Sequence, residues 1–325
     1  MQITQEANGL YTIGQSNKEI QSPFFFPAIS TIKTNYEFSE YLKILKEYRY
    51  QGFLFSAYDI YNSPNKDKLI KEISGISNTK TFTLMDSGNY ESYWNKDTKW
   101  TFKEFESVLQ EILVDVCFSF DVYWNSASKV KQQIQDTNKF TAMTAGVQKL
   151  GTTIPIIHSI PEKFPDVIKG VVEGINPQII GITERELGFS LLERATNLRT
   201  IRTNLDEFRK GIPIHLLGAG NPTSLLVYSL CGANFFDALE WCKNVVNPKN
   251  GHLYHFIQKE LITCDCKACK LKQLGYQLQT ITHNLIFYEK FMEEIRVCIR
   301  ENKSEDLLKK YLPLHFAPSI KKLIL

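Results

Sequence analysis

Three cysteines fall within six residues, Cys264, Cys266 and Cys269, at C-x-C-x-x-C spacing, and 13 residues separate the last of them from His283. Three thiolates and one imidazole make a closed tetrahedral donor set, the set of a structural zinc ion with no position left open for catalysis. An iron–sulfur site or three unrelated buried cysteines are the alternatives. A bound zinc of this kind contributes on the order of 10 kcal/mol to folding, so it would hold the chain around it together. A second group of candidates is acidic. Asp86, Asp121 and Asp237 sit in or at the end of the short apolar runs FTLMDS, DVCFSFD and ANFFDAL. Alone, each reads as a helix N-cap in a strand-to-helix loop. Converging on one partly desolvated site, they would raise one another's pKa. Such a group suits acid–base and nucleophilic work on a glycosidic carbon.

What must position these residues is a series of apolar runs: residues 24–30, 52–57, 82–87, 115–121, 154–159, 178–183, 212–218 and 233–239. Most are near-continuous and five to seven residues long, as expected of parallel strands buried on both faces. Segments with helical spacing lie between them, among them 36–48, 101–114 with Leu109, Ile112 and Leu113 on one stripe, and 184–209, which opens acidic and ends basic. Asn221-Pro222-Thr223 reads as a helix start, with Gly232 closing that helix. Eight strand–helix repeats favour an α/β fold, a (β/α)8 TIM barrel, over an open doubly wound sheet, and FFFPAISTIKTN lacks the glycine-rich turn of a dinucleotide site. An N-terminal β-hairpin about Asn8-Gly9 is expected over 1–22. The barrel then fills 23–325, with a small zinc-binding insertion after strand eight, about 252–290, in which the cysteine cluster leads into a long helix over 279–300.

The C-terminal strand ends carry the chemistry of such barrels. They bring forward Asp86, Ser87 and Tyr90, Asp121, His158, Gly181 to Glu184, Leu217, Gly218 and Gly220, and Asp237. Gly218 and Gly220 read equally as a phosphate cradle or a tight turn. Glu184 and Glu240 lie near the site by sequence, or are simply first-turn helix acids.

Composition narrows the class. The chain has 325 residues, 43% hydrophobic and 22% charged, ordinary values for a globular protein. No run of eighteen apolar residues exists, so no membrane span is expected. The start, MQITQEANGLYTIG, shows no basic region ahead of an apolar core, and seven cysteines are an odd number, so a cytoplasmic protein without a disulfide framework is expected. A net charge of +3 neither announces nor excludes nucleic acid. Lys267, Lys270 and Lys272 beside the cysteines, and Lys243 with Lys249, read as a local basic patch or as solvated surface.

The order of DSGNY, FSFD, a strand ending IIHS, LLGAGNP, FFDALEW, NPKNG, CDCKAC and HN resembles the tRNA-guanine transglycosylases from about residue 20 to residue 300. The resemblance implies that Asp237 is the nucleophile that attacks C1′ of the target nucleotide. It implies that Asp86 is the acid/base, and that Asp121, with Ser87, reads the purine edge. Tyr90 and Leu217 would sandwich the base, with Gly218 in the turn beside it. Gly181, Ile182 and Thr183 would offer main-chain groups. Zn2+ would be structural, on Cys264, Cys266, Cys269 and His283.

The chain departs from the family pattern at several points. Asn89 replaces the second glycine of DSGG, and His158-Ser159 replaces a glutamine and glycine. ITERELG is atypical, a basic loop is replaced by Lys243–Gly251, and the stretch between Cys269 and His283 is short. His158 then reads as a base contact or as a hydrogen-bonded strand-end histidine. These features resemble the branch of 7-deazaguanine DNA transglycosylases. They imply exchange of guanine in DNA for a preQ0-type base, with DNA the favoured partner and tRNA possible. A divergent tRNA enzyme is the second reading, and a non-catalytic nucleic-acid-binding or accessory chain the third. A homodimer is a further expectation of the resemblance.

Overall fold

The computed structural model describes residues 1–325 except 33, 35, 77, 78, 122–128, 150 and 325. The chain opens with three short antiparallel strands, β1 (Gln2–Gln5), β2 (Tyr11–Gln15) and β3 (Lys18–Gln21). The expected turn at Asn8-Gly9 joins the first two, with Gly9 at φ 82°. The third strand, KEIQ, extends the hairpin into a sheet of order β1-β2-β3.

The barrel follows. Its strands are β4 (Phe24–Ile29), β5 (Gly52–Ser56), β6 (Phe82–Asp86), β7 (Val116–Phe118), β8 (Thr152–Ile154), β9 (Ile156–Ile157), β10 (Ile180–Thr183), β11 (Ile214–Leu217) and β12 (Phe235–Ala238). They form one parallel sheet of order β8-β7-β6-β5-β4-β12-β11-β10-β9. The two end segments, β8 and β9, are consecutive in the chain and separated by Pro155 alone. Proline has no N–H to give to the ladder, so it splits one strand into two. Read as a single strand, they close the sheet into an eight-stranded α/β barrel. Phe25, Phe26, Phe53, Phe55, Phe82 and Phe118 are almost wholly buried, as continuous burial of both strand faces requires.

Helices alternate with the strands. They are α1 (Phe38–Tyr48), α2 (Ala57–Tyr61), α3 (Lys66–Ile76), α4 (Asn89–Asn95), α5 (Phe102–Leu109), α6 (Val130–Val147), α7 (Phe164–Ile175), α8 (Leu191–Phe208) and α9 (Pro222–Leu230). Thr101 and Ser190 cap α5 and α8 through reciprocal capping boxes with Glu104 and Glu193. Two helices are shorter than expected. α5 stops at Leu109, so Ile112 and Leu113 lie beyond it. The segment 184–209 is not one helix but a 3-10 turn, Glu184–Leu187, followed by α8. Gly188 breaks it at φ 129°, a conformation closed to other residues, and Ser190 restarts it.

After β12 come α10 (Glu240–Lys243), the hairpin β13 (Asn244–Val246) with β14 (Leu253–His255), α11 (Lys267–Lys270), the long α12 (Tyr276–Glu301), α13 (Ser304–Tyr311) and α14 (Ala317–Ile324). No helix among the described residues is long and apolar enough to cross a membrane.

Candidate active site and metal centre

A cavity of about 780 Å³ opens at the C-terminal strand ends. It gathers Asp86, Ser87, Tyr90, Asp121, His158, Leu217, Gly218 and Asp237, eight of the expected site residues. Gly181 and Ile182 are not in its wall. They lie lower on β10, where the Gly181 N–H is held by Pro155 O at 2.9 Å, and the cavity is reached only at Thr183.

Each aspartate has its own environment. Asp86 ends β6, and the next residues bend into α4 through Gly88 at φ 85°. A Cβ there would come within 2.5 Å of Tyr58 Cβ and 2.6 Å of Tyr58 N, so only glycine fits. Trp100 Nε1 anchors the bend by donating to Ser87 O at 3.1 Å. Burial pushes the Asp86 carboxyl well above the usual carboxylate range, and the charges of Glu91, Asp121 and Asp237 push the same way. Asp121 experiences the opposite balance. Burial raises its pKa, but His158, Ser87 and Asn89 all donate to it and hold it below the ordinary value. Ser87 Oγ lies 2.5 Å and Asn89 Nδ2 2.7 Å from Asp121 Oδ1, while His158 Nε2 lies 2.8 Å from Oδ2.

Asp237, on β12, has its Oδ1 2.9 Å from Nε2 of His215. His215 is buried on β11, stacked on Phe26 at 5.9 Å and edge-on to Phe118 at 4.9 Å. Sequence reasoning missed this residue. The available signal was a histidine inside the apolar run IPIHLLG, two positions before Leu217 and therefore on the same strand face. It also missed Glu91, a buried acid in the cavity wall held by Ser30 Oγ at 2.6 Å and Ser56 Oγ at 2.7 Å. Burial and the charge of Asp59 raise Glu91 to about 7. Asp59, buried against Thr31, is itself raised to about 6.

Of the glycines of LGAGNP, Gly218 lies in the cavity wall. Gly218 has φ 78°, and a Cβ on Gly220 would meet Glu240 Oε2 at 2.4 Å and Ala238 Cβ at 2.5 Å. Glu184 and Glu240 both line the cavity. Glu184 accepts from Tyr228 OH at 2.9 Å and pairs with Arg194 at 3.0 Å. Burial raises Glu240, helped by the charges of Glu184 and Asp237. Lys243 also lines the cavity, whereas Lys249, Lys267, Lys270 and Lys272 do not.

The metal candidates converge as well. The ligand atoms of Cys264, Cys266, Cys269 and His283 all lie within 4.8 Å of one another. Cys266 Sγ and Cys269 Sγ are each 3.5 Å from His283 Nδ1. A tetrahedral ion with metal–sulfur bonds of ~2.3 Å and a metal–nitrogen bond of ~2.05 Å requires about 3.5 Å between those ligands, so the donor set fits zinc. His283 Nε2 is 2.8 Å from Val246 O, and an N–H donated there leaves Nδ1 as the ligand atom. Its neighbour Asn284 accepts from Val246 N and donates to Trp241 O and Asn244 O. The cluster thus clasps the loop that follows Asp237.

The sequence profile described as Queuine tRNA-ribosyltransferase matches residues 9–317. The tRNA-guanine(15) transglycosylase of Archaeoglobus fulgidus is 21% identical over 293 residues, 83% of this chain and 60% of its own length. That of Nanoarchaeum equitans is 22% identical over 322 residues, 94% and 74% of the two chains. The Queuine tRNA-ribosyltransferase of Aquifex aeolicus is 33% identical over 127 residues, 31% and 32% of the two chains. The chain therefore spans about 60% of the Archaeoglobus protein and about a third of the Aquifex one. Because the family profile runs through all eight barrel strands and on past His283, the chain belongs to the queuine tRNA-ribosyltransferase family.

Proposed function

We propose that the chain exchanges a guanine in nucleic acid for a 7-deazaguanine of the preQ0 type, through a sugar held covalently on Asp237. The observation that carries this reading is the pairing of two unlike carboxyls in one cavity. Asp237 is oriented by His215, and Asp86 is biased toward its protonated form by burial and by neighbouring charge. A carboxyl biased toward its acid form suits the general acid, and a carboxyl fixed by a histidine suits the nucleophile.

The extruded base enters between Tyr90 and Leu217, and stacking offsets part of the cost of leaving the duplex or loop. Asp121, held as an acceptor, takes the N–H groups of the purine edge. On β10 we assign the base contact to Thr183, the residue that reaches the cavity. Asp237 then bonds to C1′ as the C1′–N9 bond breaks. The electron pair leaves with guanine, which receives the proton of Asp86. The incoming base gives a proton to Asp86 and attacks C1′. The bond to Asp237 breaks, its carboxylate is released, and no redox change occurs. Zinc on Cys264, Cys266, Cys269 and His283 would serve structure alone, since all four positions of the tetrahedron are taken.

DNA is the polymer we propose, on the short Cys269–His283 stretch and the altered residues about Asp121. The names of the archaeal and bacterial relatives favour tRNA, which is the second reading. The test offers labelled guanine and labelled preQ0 to the zinc-loaded protein, with plasmid DNA and bulk tRNA in parallel and Asp237→Ala as control. Label in DNA, lost in the control, is expected. Label in tRNA alone establishes the second reading, and label in neither overturns base exchange in favour of an accessory role.

A further inference from the structure

Three departures of this chain from its family's pattern meet at one carboxylate. Asn89 Nδ2 lies 2.8 Å from Asp121 O and 2.7 Å from Oδ1, so it grips both the main chain and the side chain. His158, 3% exposed, lies between two carboxylates, with Nε2 2.8 Å from Asp121 Oδ2 and Nδ1 2.8 Å from Glu186 Oε1. Glu186 comes from the ITERELG stretch, in the 3-10 turn that Gly188 ends. We infer that His158, Glu186 and Asn89 form one positioning device for Asp121, and that His158 does not itself contact the base.

An ionised carboxylate only accepts, so an imidazole flanked by two of them at hydrogen-bond distance needs an N–H on each nitrogen. A neutral ring would turn a lone pair toward one carboxylate at 2.8 Å. The ring is therefore an imidazolium, and both its donors are already committed. Burial opposes that charge, but Asp121 and Glu186, the carboxylates that bear on the ring, outweigh it and push His158 up to about 10. Asp121 is surrounded by donors in turn: Ser87 and Asn89 on one oxygen and His158 on the other. Its plane is fixed, and it stays ionised beside Asp86 and Asp237. It therefore offers an incoming base acceptors only. Bases presenting adjacent N–H groups are selected, and bases presenting a ring nitrogen lone pair at that edge are refused.

The part concerning the base rests on the proposed exchange reaction, but the device does not, so the first measurement is made without substrate. Nitrogen-15 correlation spectra of the zinc-loaded protein, with His158 assigned through His158→Gln, should show both ring nitrogens protonated at pH 8. In Glu186→Gln the ring should lose one of those protons by pH 8. A ring carrying a single proton in the parent protein at pH 8 overturns the proposal whatever the activity assay finds. The second measurement uses guanine exchange. His158→Gln should raise KM for guanine roughly tenfold or more, the scale of one charge-assisted hydrogen bond, with little change in kcat. Added to Asp121→Asn, it should cost little more, because both act through one group. A loss seen with guanine but not with 6-thioguanine, which keeps both N–H groups of that edge and has only a weakly accepting sulfur at the six position, would reveal direct base contact and overturn the proposal. If His158→Gln does not fold, Glu186→Gln in the same kinetic cycle, with the parent spectrum, decides the question.

Discussion

His215 Nε2 lies 2.9 Å from Oδ1 of Asp237, and the ring that makes this contact is packed against Phe26 and Phe118 deep in the barrel. The contact engages one carboxylate oxygen and, on the proposed mechanism, leaves the other for C1′ of a nucleotide. His215→Phe keeps the packing volume and removes the donor. We expect single-turnover formation of the covalent sugar–enzyme adduct to slow by roughly 10–100-fold, the scale of one hydrogen bond to a charged group. The KM for the nucleic acid should stay unchanged. An unaltered rate would mean that the ring only packs.

Glu91 makes the fold sensitive to pH. Its folded-state pKa of about 7 is above its ordinary value of 4.5. Below pH 4.5 both states carry the proton, and stability is at its full value. As pH rises from 4.5 to 7 the unfolded chain ionises first, so stability falls, by on the order of 3 kcal/mol across that window. Asp59, raised to about 6, adds a loss of the same sign. Glu91→Gln can keep its bonds to Ser30 and Ser56 without a charge. Urea midpoints should fall less steeply between pH 5 and 8 for the variant, leaving it the more stable protein at pH 8. Parallel pH curves for the two proteins would refute this.

The contrast between what could and could not be read in the sequence is physical. Asp86, Asp121 and Asp237 were legible because burial of both strand faces makes each barrel strand a short apolar run, and a polar residue closing the run must lie at the mouth. The cysteine cluster was legible because three of the four ligands of its tetrahedron come from one run of six residues. His215 was not, since its role depends on Asp237, which lies 22 residues away on the next strand. Glu91 resembled any acid in the first turn of a helix until the hydroxyls of Ser30 and Ser56 were seen around it. The break at Gly188 was masked by the helical spacing on either side of it. β3 was hidden because its Lys18 is polar, and its partner Asp115 is 97 residues distant.

Nζ of Lys18 is 2.6 Å from Asp115 Oδ2, and both side chains are buried. The pair bolts the N-terminal sheet to the start of β7, and Thr83 adds its N–H and its hydroxyl to the same oxygen. Lys18→Met leaves a buried carboxylate without its cation and should cost about 3–5 kcal/mol. Lys18→Met combined with Asp115→Val removes both charges and should recover part of that loss. Guanidinium unfolding of the three proteins checks the order, which fails if the double variant is the least stable.

Removal of the metal should loosen the loop beyond Asp237 before it affects the barrel. His283 serves two partners, with Nδ1 toward the sulfurs and Nε2 toward Val246 O, while Asn284 beside it accepts the Val246 N–H. The ion would fix the ring, and the ring would fix β13. The purified protein should contain about one zinc per chain, the stoichiometry of one tetrahedral site. Chelation, or Cys269→Ser, should lower the thermal midpoint. Hydrogen exchange should then rise first in peptides covering 244–255 and 262–283, with β4 and β12 still protected. Unchanged protection at 244–255 in zinc-free protein would show that Asn284 alone holds the loop. A simultaneous loss across the barrel strands would show that metal binding and barrel folding are one transition.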